Sequence, residues 1–136
     1  MPRRESDPRE HLPLTPVVLH LLLALADRDQ QTASSGKHGY AVAQEVEAMS
    51  EGQIRMGPGT LYGSIQRMLA SDLIEEVSRA RVAGRPRAGH GEEDERRRYY
   101  RLTPLGQRVL QLELSRLAQV VAVARAKRLL PVPELA

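Results

Sequence analysis

The sequence predicts a mainly α chain with one small β-hairpin and a long C-terminal helix. Three observations carry that expectation. The Thr-Pro pairs at 15–16 and 103–104 are helix-start devices, a Thr cap followed by Pro at the first helical position. Residues 97 to 102 alternate, with Arg98, Tyr100 and Leu102 on one face and Arg97, Tyr99 and Arg101 on the other, the pattern of a half-buried strand. Leu110, Leu114, Leu117, Val121 and Ala124 follow a 4-3-4-3 spacing, the seam of a helix packed on another helix.

In chain order, residues 1–14 are predicted to be an N-terminal arm that Leu12 and Leu14 can dock. The first helix runs from Pro16 to about Ala26. Val17, Val18, Leu19, Leu21, Leu22, Leu23 and Leu25 make it apolar nearly all round, so burial on more than one side and a share in a subunit interface through Leu19 and Leu22 are expected. His20 reads as a satisfied histidine within it. Asp27 to Lys37 is a polar, Gly- and Ser-containing loop. A second helix spans about Gly39 to Met49, with Val42, Val46 and Met49 as its apolar stripe, and Gly52 breaks it. Gln53 to Met56 suits a very short strand. Gly57 and Pro58 open a third helix to about Ser71, with Leu61, Ile65, Met68 and Leu69 inward and Gly59, Thr60, Gly63, Gln66 and Arg67 on the opposite face. Ile74 to Arg79 is a strand, Ala80 to Glu95 a loop, and residues 97–102 the second strand. The last helix, Pro104 to about Leu130, would be roughly 40 Å long at 1.5 Å per residue. Nothing else in the chain is long enough to cover its seam, so a second copy is the expected cover.

This order, with three helices before a hairpin, is the winged helix-turn-helix arrangement, in which the third helix is free to enter a major groove. The predicted organisation is an arm at 1–14, a winged helix-turn-helix domain at 15–102, a dimerisation helix at 103–130 and a tail at 131–136.

Composition narrows the chemistry. The 136 residues hold no Cys, Trp or Phe, and the aromatics are Tyr40, Tyr62, Tyr99 and Tyr100. Disulfides and thiolate chemistry are excluded, and a zinc site would need His and carboxylates alone. His90 beside Glu92, Glu93 and Asp94 offers such ligands only on a Gly-flanked loop without fixed geometry. No nucleophile elbow, Walker loop or HExxH pattern occurs, so neither an enzyme nor a cofactor is expected. Residues 1–14 lack the unbroken apolar run of a signal peptide, and Pro16 to Ala26 is too short to span a bilayer, which points to a soluble cytoplasmic protein with no membrane partner. The net charge of +3 is unevenly spread. Residues 15–78 hold four bases and eight acids, whereas residues 79–101 hold eight arginines and four acids. Such local concentration of Arg attracts a phosphate backbone.

The motifs HGYAV from His38, MGPGTLYGSIQRM from Met56, DLIEE from Asp72 and RRYYRLTPLG from Arg97 resemble those of PadR-family transcriptional regulators, over about Leu14 to Leu130. The resemblance implies a dimeric bacterial repressor with a winged helix for DNA and a C-terminal helix for dimerisation. The single short C-terminal segment is similar to the compact subgroup with one such helix. The loops at 27–37 and 80–95 are longer than the family's usual connections. Some members of the family take flat aromatic ligands at the dimer interface through aromatic side chains. With no Trp or Phe here, any small-molecule effector of this chain would meet an aliphatic pocket.

The expected DNA-binding residues follow. At the third helix, Gly57 and Gly59 leave no side chain between the helix N-terminus and a phosphate, and the Tyr62 hydroxyl can donate to one. Thr60, Gly63 and Arg67 lie on the outward face that the resemblance points at base edges, where the Arg67 fork matches guanine O6 and N7. His38 and Tyr40 open the second helix, where either can touch a phosphate of the DNA backbone, with packing of the Tyr40 ring on the core as the alternative. Arg85 and Arg87, in the run Gly84 to Gly89, suit a narrow A·T minor groove, with a disordered basic loop as the alternative. The expected dimer contacts are Leu19, Leu22, Leu110, Leu114, Leu117 and Val121. The expected function is thus a homodimeric, sequence-specific regulator of transcription on double-stranded DNA, a repressor on an inverted-repeat operator. The alternative is a protein-interaction module that docks through the long helix without specific DNA binding.

Overall fold

Thr15 caps the first helix, α1 (Pro16–Leu25), by accepting the Val18 N–H at 3.3 Å. The computed structural model that places it describes residues 7–26, 36–77 and 98–131. Ahead of α1, a short 3-10 turn (Pro8–His11) and the half-buried Leu12 and Leu14 pack onto the core, so this part of the predicted arm is docked. After α1 come β1 (Lys37–His38), α2 (Gly39–Met49), α3 (Pro58–Ala70), β2 (Ile74–Val77), β3 (Tyr99–Leu102) and α4 (Pro104–Ala126). The sheet is antiparallel in the order β1-β3-β2, with Lys37 opposite Tyr100 and Tyr100 opposite Glu76. Three helices, a small antiparallel sheet and a long terminal helix make this a winged helix-turn-helix.

The core gathers α1 (Leu21, Leu22, Ala24, Leu25), α2 (Val42, Val46), α3 (Leu61, Ile65, Met68), the sheet (Ile74, Tyr100) and the start of α4 (Val109, Leu110). The nearly all-round apolarity of α1 is met largely within one chain, with Leu23 left exposed. Two of the expected interface residues, Leu22 and Leu110, are likewise inside this core, at 0% and 4% exposure. A stripe at helical spacing does not say which of its members face the chain's own domain; of this seam Leu110 does, while Leu114 is exposed.

Several elements differ from the sequence prediction. Met49 is exposed, because α2 ends there and its stripe runs past the edge of the core. Residues 53–56 form no strand; the Ile54 N–H goes to the Ser50 hydroxyl at 3.0 Å, a local turn bond that replaces a ladder partner. Lys37, expected to end a loop, forms a short strand with His38, which also caps α2. The described part of the hairpin's first strand stops at Val77; Arg79, the loop 80–95 with its His90 cluster, and Arg97 lie outside the described residues. The last helix ends at Ala126 and not near Leu130: Arg128 turns left-handed (φ 59°) and the Leu129 N–H returns to the Ala124 carbonyl at 2.9 Å.

One junction fixes α4 against the end of α3. Leu73 accepts the Thr103 N–H on its carbonyl at 3.1 Å, and the Thr103 hydroxyl donates to the Asp72 carbonyl at 2.5 Å. The same hydroxyl caps α4 by accepting the Gly106 N–H at 2.9 Å. Gly106 runs so close beneath Leu73 that a Cβ there would overlap its carbonyl group. Further along, the buried Glu113 accepts the Leu14 N–H at 2.7 Å and pairs with Arg116 at 2.5 Å, tying the docked arm to α4. No described helix is long and apolar enough to cross a membrane.

Candidate nucleic-acid interface

α3 divides cleanly by face. Leu61, Ser64, Ile65 and Met68 point inward and are buried, while Gly59, Thr60, Tyr62, Gly63, Gln66 and Arg67 are exposed. Its N-cap, Gly57, supplies no side-chain cap, so the first-turn N–H groups beyond Pro58 face outward without a capping side chain. A Cβ at Gly57, Gly59 or Gly63 would meet nothing within 4 Å, so the first turns offer bare, open backbone. Such a helix end attracts anions through its N–H groups and partial positive charge. One helical turn further, Arg67 is exposed and donates to the Ser64 hydroxyl at 3.3 Å, a bond that orients the guanidinium along the helix.

The start of α2 lies beside these turns. His38 caps α2 by accepting the Tyr40 N–H on Nδ1 at 3.2 Å, and its ring meets Tyr99 edge-on with centroids 5.9 Å apart. Tyr40 is 60% exposed. Gly39 is buried between α3 and the sheet; a Cβ there would stand 3.3 Å from Ile65 Cδ1, 3.5 Å from Tyr100 Cε2 and 3.7 Å from Tyr62 Cε1. The missing side chain lets α2 begin against the Tyr62 and Tyr100 rings. The structure thus gathers His38, Tyr40 and Tyr62 near the α2–α3 contact, while Gly59, Thr60, Gly63 and Arg67 share the outward face of α3. Arg85 and Arg87 lie outside the described residues.

The charge at this edge does not stand out in the sequence. Arg98 pairs with Glu76 at 3.4 Å, and Glu76 stands directly opposite Tyr100. Burial first, then the Glu76 carboxylate, push the Tyr100 phenol above its ordinary value, with Arg98 pulling the other way and Tyr62 adding slightly. The alternation that sets Arg98 and Tyr100 on one face carries half of this signal; the other half needs the β2–β3 register. Glu113 is also absent from the predicted site, although it is the lone acid in the Gly106, Val109, Leu110, Glu113, Leu117 stripe of α4.

The expected dimer residues are split. Leu19 is half-buried, Leu22 and Leu110 are in the core, Leu114 is exposed, and Leu117 and Val121 are half-buried. After Glu113 no described residue of α4 is fully buried, and Leu117, Val120, Val121, Val123 and Ala124 give that half an apolar surface.

Similarity to known proteins agrees with this architecture. A protein described as "Uncharacterized 37.1 kDa protein in transposon TN4556", from Streptomyces fradiae, is 32% identical over 83 residues, 61% of this chain. The chain spans about a fifth of that protein's length (19%). The model of the transcriptional regulator PadR-like family matches residues 30–112, from ahead of β1 through α2, α3 and the sheet into α4. With most of its length matched and the winged helix in place, the chain belongs to the PadR-like family of transcriptional regulators.

Proposed function

We propose that the chain regulates transcription by binding double-stranded DNA as a homodimer, with a DNA-binding unit at 15–102 and a dimerisation helix from 103, and that it represses from an inverted-repeat operator. The observation that carries the DNA reading is the outward face of α3: two exposed glycines, small polar side chains, one tyrosine and one arginine, behind a helix N-terminus without a side-chain cap. In this reading α3 lies in the major groove, Arg67 reads a guanine, and Tyr62, Tyr40 and His38 touch phosphates. Arg85 and Arg87 add phosphate or minor-groove contacts. The apolar second half of α4 supports a partner copy, since a helix protruding from a domain with Leu117, Val120, Val121 and Val123 in water is costly. Repression is the mode that the resemblance implies.

Footprinting on the DNA around the chain's own gene, followed by titration at several salt concentrations, tests this. A protected inverted repeat with a steep salt dependence is expected. Absence of salt-dependent duplex binding would favour an interaction module docking through α4.

A further inference from the structure

Two ion pairs bridge β2 and β3, and they lie on opposite faces of the sheet. Glu75 stands opposite Arg101 and meets it at 2.5 Å; Glu76 stands opposite Tyr100 and meets Arg98 at 3.4 Å. Successive strand residues alternate faces, so Glu76 shares the side of Ile74 and Tyr100, toward the helices, and Glu75 the other. Tyr100 and Tyr62 both flank Gly39, so the Glu76–Arg98 pair lies on the sheet face whose Tyr100 approaches the half-exposed Tyr62 of α3. Its side chains are 43% and 40% exposed, and a pair so open contributes little to folding. The fold therefore gives no strong reason for an acid at this position.

Resting on the DNA reading of α3, we infer that Glu76 is an electrostatic brake on DNA binding: it holds Arg98 in the free protein and must yield Arg98 to a phosphate when duplex DNA docks. The exchange leaves a carboxylate close to the phosphate backbone. That charge lowers affinity for every sequence, so stable complexes form only where base contacts along α3 supply the remainder, and non-specific binding is suppressed. Arg98 becomes a phosphate contact beyond those of α3, α2 and the wing.

The test compares Glu76→Gln, Arg98→Gln and Glu75→Gln with wild type, using a labelled duplex of mixed sequence at several potassium chloride concentrations and thermal melts to verify folding. Glu75→Gln removes the same charge from the other face of the sheet. The expected result is that Glu76→Gln binds roughly threefold or more tighter at low salt, the scale of one charge repulsion at a protein–water boundary. Arg98→Gln should bind more weakly, with the log–log salt slope reduced by about 0.9 for each phosphate no longer neutralised. Glu75→Gln should stay near wild type. If Glu76→Gln binds like wild type, or no more tightly than Glu75→Gln, the brake is overturned and the DNA reading stands. If neither wild type nor Glu76→Gln shows salt-dependent duplex binding, the reading of α3 fails and the brake falls with it.

Discussion

A single methyl group at position 106 would collide with the Leu73 backbone, not with a side chain that could move aside. Gly106→Ala should therefore destabilise by about 1–3 kcal/mol or more, the scale of overpacking, read as a lower urea midpoint with an unchanged slope. Glu113 is the second residue whose place in α4 decides more than its type suggests. Its hydrogen bond from Arg116 first, and from the Leu14 N–H, lower its pKa against the opposing effect of burial. A depressed folded pKa means that the stabilisation is fully present above the ordinary value of 4.5 and is lost as pH falls through the folded value. Glu113→Gln should lose about 1–3 kcal/mol at neutral pH and show a shallower fall in melting temperature below pH 4.5. Neither role is legible in the sequence, because both depend on segments that are remote along the chain. The Thr15 and Thr103 caps are legible, because a cap is a local contract between a side chain and an N–H three residues on.

Adjacent residues of α3 should separate binding from folding. Arg67 is exposed and Met68 is 2% exposed in the core. Arg67→Ala should leave the melting temperature near wild type while costing about 1–3 kcal/mol on a specific site, measured by titration on the footprinted duplex. Met68→Ala should cost about 2–5 kcal/mol of stability through the cavity it leaves. The helices can be read because many residues of 3.6-fold periodicity average over local noise, and α2 matches its predicted span, Gly39–Met49. The two-residue β1 offers no period to read; it exists because β3 has a free edge, and the pairing of Lys37 with Tyr100 belongs to the sheet. The strand expected at 53–56 rests on Ile54 and Met56, which pack on the core from a turn. The outward face of α3 is legible from its composition, whereas the Glu76–Arg98 pair requires strand register.

For the whole molecule, the seam of α4 has two owners. Leu110 serves the domain, and the stretch from Leu117 onward is the surface proposed for a partner. Leu117→Asp with Val121→Asp should give a folded monomer in sedimentation, with DNA binding abolished, while Leu110→Asp should fail to fold; a burial of roughly 1.5–3 kcal/mol per Leu is at stake in each case. A dimeric double Asp variant would reject the seam. The junction of Leu73, Thr103 and Gly106 then acquires a meaning in the language of DNA spacing. It bolts the turn after α3 to the start of α4 through two hydrogen bonds to backbone carbonyls and the close approach of Gly106 to Leu73. In a dimer built on α4, the two copies of α3 become the fixed jaws of a gauge, whose opening is set by the angle at which the long helices cross. An operator with about five extra base pairs between its half-sites turns one of them to the far side of the duplex and should not bind. An insertion of about ten restores the phase but adds roughly 34 Å, a distance that rigid jaws cannot stretch to cover. Binding to the full-turn insertion would mean that the joint flexes. Failure of both insertions would show that the protein measures its operator as a calliper does, in length as well as in phase.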